Sequence, residues 1–129
     1  MYIKIKQRKI PIQIKTTLKE KIKSFRFKLT EIDYGLCFPK KRRINTYFYC
    51  QNVDIIMTNK DNTIIKMFPN QTSERHIRGN KKVYYIYVFP NIVCNHFKIG
   101  DTLPIISTKK EQDFLAKYKQ KKKDKTTLS

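Results

Sequence analysis

The chain has 129 residues, a formal net charge of +19 at pH 7 and 40% hydrophobic residues, so it can bury a core of its own. Its apolar runs fall well short of the roughly 18 residues that a membrane-spanning helix needs, which excludes that class. Three cysteines without a signal-peptide pattern predict free thiols and a cytoplasmic protein.

The first predicted element is a strand. Apolar and polar residues alternate over Ile10–Ile14, and Pro11 predicts a sheet edge or a strand start there. Thr17 and Glu20 then have the spacing of a capping box, in which each side chain satisfies a free backbone N–H at the start of a helix. A short packed helix from about Thr17 to Phe25 is therefore expected.

The middle of the chain predicts a β-hairpin. Val53–Thr58 and Thr63–Phe68 are rich in β-branched and aromatic residues, and the polar cluster Asn59–Asn62 between them favours a tight turn. Upstream of the hairpin, Asp33–Pro39 predicts a brief buried strand that ends at its proline. The cationic run Lys40–Arg43 follows and is expected in a loop.

The last third predicts a polar loop, a central strand and a final strand. The loop is Pro69–Lys82, and Val83–Phe89 is apolar on both faces, as a strand covered on both sides should be. One helical turn is expected within Asn91–Ile99, and Gly100–Thr102 turns the chain into the strand Leu103–Ser107. The predicted fold is mainly β (α+β): a single small antiparallel β-barrel-like domain over residues 1–107 with one short packed helix. Residues 108–129 form a basic, largely disordered tail.

The order of short motifs resembles the prokaryotic family catalogued as domain of unknown function 192. The resemblance covers roughly residues 9–107 and is carried by Phe25-Arg26, Tyr34–Phe38, Thr46–Tyr49, Val53–Met57, Asp61-Asn62, Ile64-Ile65, Tyr87–Pro90 and Ile99–Thr102. The chain departs from the family where Tyr47–Tyr49 replaces Phe-Trp-Met and where Asn52-Val53 replaces Pro-Leu. The resemblance implies a small β-barrel-like domain with a helix packed on it, and it implies no established activity.

The positive charge predicts a partner among the polyanions, because such a field attracts nucleic acid chiefly through counterion release. The candidate binding residues lie in two short segments: Lys40, Lys41, Arg42 and Arg43 in one, Arg75 and Arg78 in the other. The alternative interpretation is compositional. Lysine outnumbers arginine by 23 to 6 and the abundant residues have A/T-rich codons, so the charge also fits genome composition.

The second candidate site is Asp54, a carboxylate inside an apolar run, where burial is costly unless the group is paired or hydrogen-bonded. The functional interpretation is a pocket with Tyr47 and Tyr49 across the strand pair and with Arg75 or Arg78 as a counter-charge. The structural interpretation, which we favour, is a carboxylate that fixes a loop through backbone hydrogen bonds.

No catalytic, metal or cofactor site is predicted. The cysteines and histidines, Cys37, Cys50, Cys94, His76 and His96, show no zinc-type spacing, and three glycines leave no room for a phosphate loop. The leading hypothesis is a non-enzymatic binding module for nucleic acid or another polyanion, with low specificity. The alternatives are a small-molecule or metal-assisted pocket around Asp54 and a protein-interaction domain whose charge is compositional.

Overall fold

The computed structural model describes residues 1–5, 8–14, 34–46, 51–72, 74–90 and 93–116. The described residues form nine strands: β1 (Tyr2–Ile5), β2 (Arg8–Ile14), β3 (Gly35–Pro39), β4 (Arg43–Asn45), β5 (Val53–Thr58), β6 (Ile64–Gln71), β7 (His76–Arg78), β8 (Tyr85–Pro90) and β9 (Ile105–Ile106). A 3-10 helix, Val93–His96, follows β8, and residues 109–116 are α-helical. The predicted helix Thr17–Phe25 lies outside the described residues.

The predicted hairpin is confirmed, with β5 and β6 paired antiparallel. Asn59 holds the turn between them, because its side-chain oxygen accepts the backbone N–H groups of Asp61 at 2.9 Å and Thr63 at 3.0 Å. Asn62 has a φ of 62°, in the left-handed region that asparagine tolerates better than most residues. Local turn chemistry therefore sets the hairpin that the sequence predicts.

Seven strands form one curled sheet in the order β6-β5-β8-β3-β2-β1-β9. This half-barrel confirms the mainly β fold class, and β8 lies between β5 and β3 as a central strand should. The pairing departs from the antiparallel prediction at one place, since β2 and β3 are parallel. Pro11 stands inside the sheet rather than at its edge. It pairs with Tyr2, and the ladder to β3 starts one residue later, so its missing N–H costs no ladder hydrogen bond.

The segment that leads into β9 links the two edges of the curled sheet. At its start, the N–H of Gly100 donates to the carbonyl of Ile64 at 2.9 Å, and the N–H of Leu103 donates to the carbonyl of Asn62 at 2.8 Å. At its end, Ile105 pairs with Ile3 of β1. The start of β6 and the start of β1 are thereby held by one short stretch of chain.

The central strands are buried on both faces, so two cores lie on opposite sides of the sheet. The first, the ribbon-side core, contains Leu36, Phe38, Ile44, Val53, Ile55, Met57, Ile77, Val83, Ile86 and Val88. The second, the helix-side core, contains Ile3, Ile10, Ile12, Cys37, Ile56, Ile64, Tyr85, Tyr87, Phe89, Val93, Cys94 and Leu103. Successive residues of a strand point to opposite faces, which explains this division.

The prediction of a cationic loop at Lys40–Arg43 and a polar loop at Pro69–Lys82 is partly wrong, because strands of a second, two-stranded sheet begin or lie within these segments. In it, β4 pairs antiparallel with β7, and β6 runs on to Gln71. Each of the two short strands carries one isoleucine among polar residues. Burial of Ile44 and Ile77 in the ribbon-side core supplies the free energy that orders them.

The first residues of the predicted tail are helical. Thr108 and Glu111 form a capping box: the Thr108 N–H and hydroxyl donate to the Glu111 carboxylate at 3.0 and 3.1 Å, and the Glu111 N–H donates to the Thr108 hydroxyl at 3.2 Å. Leu115 packs against the helix-side core. The remainder of the predicted tail, residues 117–129, lies outside the described residues. In the described part of the chain, no helix is long and apolar enough to cross a membrane.

Candidate functional site

The paired strands β4 and β7, called here the ribbon, bring the two predicted basic segments together. Arg43 stands directly opposite Arg78 across the ribbon. Both side chains are exposed, and the isoleucines that follow and precede them point to the core. Two cationic segments that are far apart in the sequence thus form one surface.

The hydrogen bonds at the ends of the ribbon show which kind of pair the two arginines form. The N–H of Gly79 donates to the carbonyl of Arg42 at 2.6 Å, and the N–H of Thr46 donates to the carbonyl of Arg75 at 2.9 Å. Because such bonds recur at every second residue pair, Arg43 and Arg78 form a non-hydrogen-bonded pair, in which the side chains lie closest. Like charges in that position destabilise a ribbon that has no anion nearby.

No carboxylate among the described residues neutralises this pair. Within the described ranges the one ion pair joins the amino group of Met1 to Glu111, on the helix side of the sheet. Burial alone would raise the pKa of Glu111, but hydrogen bonds from the Met1 amino group and from Thr108 lower it below its usual value. The Glu111 carboxylate is therefore paired with Met1 on the helix side of the sheet, away from Arg43 and Arg78.

The basic charge is concentrated at one end of the ribbon, called here the basic end. Its members precede β4 or follow β7, and antiparallel pairing places both groups together: Lys40, Lys41, Arg42, Lys81 and Lys82. The backbone N–H of Lys41 donates to the carbonyl of Tyr84 at 3.2 Å, which fixes this end to the start of β8. The ammonium of Lys60 lies 5.6 Å from the centre of the Tyr84 ring, which packs against the helix-side core, so this lysine is not counted in the basic end.

The opposite end of the ribbon is held by Thr46, a fully buried residue. Its hydroxyl donates to the carbonyl of Thr72 at 2.7 Å and accepts the backbone N–H of Arg75 at 2.8 Å, while its carbonyl accepts the N–H of Glu74 at 3.1 Å. Arg75 therefore lies at this end, where its Nε donates to the Thr72 hydroxyl at 3.4 Å. The structure separates Arg75 from the basic end and keeps Arg78 beside it.

Replacing Thr46 with valine should loosen the ribbon. The variant keeps the shape of the side chain but leaves the N–H of Arg75 and the carbonyl of Thr72 without their partner. We expect a loss of about 2 kcal/mol in the free energy of unfolding, since each of the two lost, part-buried hydrogen bonds contributes about 0.5–1.5 kcal/mol. Urea unfolding measures it. Thr46→Ser retains the hydroxyl and should lose far less, and equal losses in both variants would contradict the anchoring role.

Asp54 is almost completely buried, with 1% of its surface exposed, on the helix-side face of β5. One carboxylate oxygen accepts the N–H of Asn70 at 2.8 Å and the other accepts the N–H of Cys94 at 2.7 Å. The pairing of β5 with β6 shifts at this point, and Asn70 has a φ of 51°. Asp54 thus joins a β-bulge of β6 to the 3-10 helix.

The other members of the predicted pocket do not gather around Asp54 in the described structure. Arg78 lies on the ribbon, and the ribbon packs on the opposite face of β5, so it supplies no counter-charge. Arg75 lies at the far end of the same ribbon. Tyr47 and Tyr49 lie outside the described residues. The geometry supports the structural interpretation of Asp54, because both of its oxygens are engaged by backbone donors.

The described cysteine thiols are unsuited to nucleophilic chemistry. Burial, assisted by the charge of Asp54 and by a hydrogen bond to it, raises the pKa of Cys94 to about 12. Burial likewise raises the pKa of Cys37 to about 12, against a weaker opposing effect of its hydrogen bond with Tyr87. A thiol must lose its proton before it can act as a nucleophile, and the raised pKa values of Cys37 and Cys94 oppose that ionisation. In the described ranges no three His, Cys, Asp or Glu side chains gather where they could hold a metal ion.

Sequence reasoning missed Thr46, Lys81 and Lys82. Thr46 looks like an ordinary β-strand residue, and its role depends on a hydrogen bond to a residue 26 positions away. The two adjacent lysines at 81 and 82 are a visible signal, but they join the other cations only through the β4–β7 pairing. The sequence alone does not show that Lys81 and Lys82 lie beside Lys40–Arg42, because the β4–β7 pairing brings them together.

Comparisons with known proteins identify the fold but no family. No family model and no curated protein matches the chain, so the resemblance to domain of unknown function 192 stays a prediction. A solved protein of unknown function from Novosphingobium aromaticivorans matches with a TM-score of 0.64 and 15% identity, over 74% of either chain. A "putative transcription regulator" from Sinorhizobium meliloti matches with a TM-score of 0.65 and 14% identity, over 79% of this chain and 88% of that one. At these identities the similarity shows a shared half-barrel fold alone.

Proposed function

We propose that this protein is a non-enzymatic binding module whose ribbon and basic end bind nucleic acid or another polyanion. The observation that carries the proposal is the exposed cross-strand pair of Arg43 and Arg78, which no described carboxylate neutralises. An arrangement that repels itself in the free protein becomes favourable when an anion bridges it.

Further support comes from the position of the other cations. The basic end adds lysines on the same side of the sheet as the arginine pair, and Thr46 and the ribbon-side core hold the whole surface in place. Contacts of lysine and arginine with phosphates are largely independent of sequence, so this surface supports affinity more than selectivity. The solved relative described as a "putative transcription regulator" is compatible with such a role.

The direct test is a double charge reversal, Arg43→Glu with Arg78→Glu. We expect the affinity for heparin and for nucleic acids to fall more than about tenfold near physiological salt. The slope of log K against log salt should also flatten, because the reversal removes two cations from the surface and adds two anions that repel the polyanion. Fluorescence anisotropy across a salt series measures both quantities.

The matched control is Lys109→Glu with Lys110→Glu. These lysines are exposed on the α-helix that packs on the other core, so the control changes the net charge equally but away from the ribbon. Equal losses in the two double variants would mean that only the overall charge matters. Unchanged binding in the ribbon variant would refute the proposal.

A further inference from the structure

The described surface around the ribbon has cations but few exposed rings. Among the described Phe and Tyr residues, Phe114 is the most exposed and lies on the α-helix at the helix side of the sheet, while Tyr34 and Phe68 are half-buried against the ribbon-side core. Tyr85 and Tyr87 are buried in the core, and the exposed ring on the ribbon itself is the imidazole of His76. Proteins that bind single strands without sequence preference stack successive bases on exposed aromatic side chains. The strands β4 and β7 themselves contain no Phe, Tyr or Trp, so they offer a single strand no row of such rings to stack on.

The shape of the ribbon fits a groove. Two paired strands lie about 4.8 Å apart, and three residue pairs extend roughly 10 Å. The major groove of B-form DNA is about 12 Å wide and admits a two-stranded β-ribbon. The inner face of this ribbon is fixed to the core by Ile44 and Ile77, so its outer face, with Arg43 and Arg78, is the one presented to a partner.

We propose that the outer face of the ribbon enters the major groove of double-stranded B-form DNA. This inference rests on the proposed function and names the partner for the same site. Arg43 and Arg78 stand side by side in the end pair of the ribbon, next to the basic end, and reach the edges of the bases, where a guanidinium forms a bidentate contact with guanine O6 and N7. The cations of the basic end lie at one end of the ribbon and contact the flanking phosphates.

The test compares four probes with the full chain: a guanine-containing DNA duplex, either of its single strands, an RNA duplex of the same sequence and heparin. We expect the DNA duplex to bind about tenfold more tightly than the single strand or the RNA duplex, because the major groove of A-form RNA is too deep and narrow for side chains to read. Equal or tighter binding of the single strand or of the RNA duplex would overturn the inference.

An atomic probe separates groove contacts from phosphate contacts. Replacing guanine with 7-deazaguanine removes the N7 acceptor from the major groove and leaves every phosphate in place, and we expect the affinity to fall about fivefold. The variant Arg43→Lys with Arg78→Lys keeps the charge but replaces the planar guanidinium fork with a flexible ammonium, so it should discriminate less between the guanine and 7-deazaguanine duplexes with an unchanged salt slope. Wild-type protein that binds the guanine duplex and the 7-deazaguanine duplex equally would contradict the groove contact.

The two proposals fail in different ways. If the double charge reversal leaves the binding of all four probes unchanged, the proposed function itself is wrong. If that reversal weakens binding of all probes but the wild-type protein shows no preference for the DNA duplex, the polyanion surface stands and the groove inference is refuted.

Discussion

The variant Asp54→Asn should lose about 3 kcal/mol in the free energy of unfolding. An amide side chain has one acceptor oxygen, so it can satisfy the N–H of Asn70 or that of Cys94 but not both. It also replaces two charge-assisted hydrogen bonds, each worth about 1.5–3 kcal/mol, with one neutral bond and one donor facing a donor. Urea unfolding at pH 7 measures the loss.

The matched control is Asp101→Asn. Asp101 is exposed, and its carboxylate accepts the N–H of Lys98 at 2.9 Å. One solvated hydrogen bond should cost well under about 1 kcal/mol when weakened. A second readout is the alkylation of Cys94, which should be faster in Asp54→Asn because the variant loosens the 3-10 helix and removes the neighbouring negative charge. An Asp54→Asn variant that keeps full stability would contradict the structural role and would revive the pocket hypothesis.

The variant Gly35→Ala should lose about 2 kcal/mol. A Cβ atom at Gly35 would lie 2.7 and 2.8 Å from the ring atoms Cδ1 and Cε1 of Phe89 and 3.3 Å from the carbonyl oxygen of Val88. The strands β3 and β8 are paired at the centre of the sheet, so neither strand can move away to make room for the added carbon. Forcing an extra carbon into a packed core costs about 1–3 kcal/mol.

A double-mutant cycle with Phe89→Leu isolates the cause. The smaller side chain should cost about 1 kcal/mol alone, as volume is lost from the core, but it should absorb most of the added methyl group when the two changes are combined. We therefore expect the double variant to be more stable than the sum of the single losses predicts. Strict additivity in urea unfolding would show that the Phe89 ring is not the obstacle.

Residues whose roles are set by near neighbours could be predicted from the sequence. The hairpin of β5 and β6 follows from two β-rich runs and the turn chemistry of Asn59, and the central position of β8 follows from an apolar run on both faces. The buried strand that ends at Pro39 could be predicted for the same reason. In each case the determining pattern spans five or more consecutive residues.

The ribbon and the partners of Asp54 could not be predicted, because both depend on distant residues. Arg43–Asn45 and His76–Arg78 contain one apolar residue each, and three residues are too few to show a period of two. The burial of Asp54 could be suspected, but its donors come from positions 16 and 40 residues away and are backbone groups that any residue carries. The side chains of Asn70 and Cys94 therefore do not indicate that their backbone N–H groups donate to Asp54.

The link between the two edges of the sheet also constrains how the chain can fold. Among the described strands, β1 pairs with β9, which lies far along the sequence, and β6 receives its edge partner from the same late segment. Contacts between segments so far apart in sequence form slowly, since the entropy of a long loop must be lost before the pairing compensates for it. During synthesis the early strands must wait for residues 100–106 with an unpaired edge, the kind of surface that recruits other chains. We therefore expect the nascent protein to become less prone to aggregation once residues 100–106 have paired with β6 and β1.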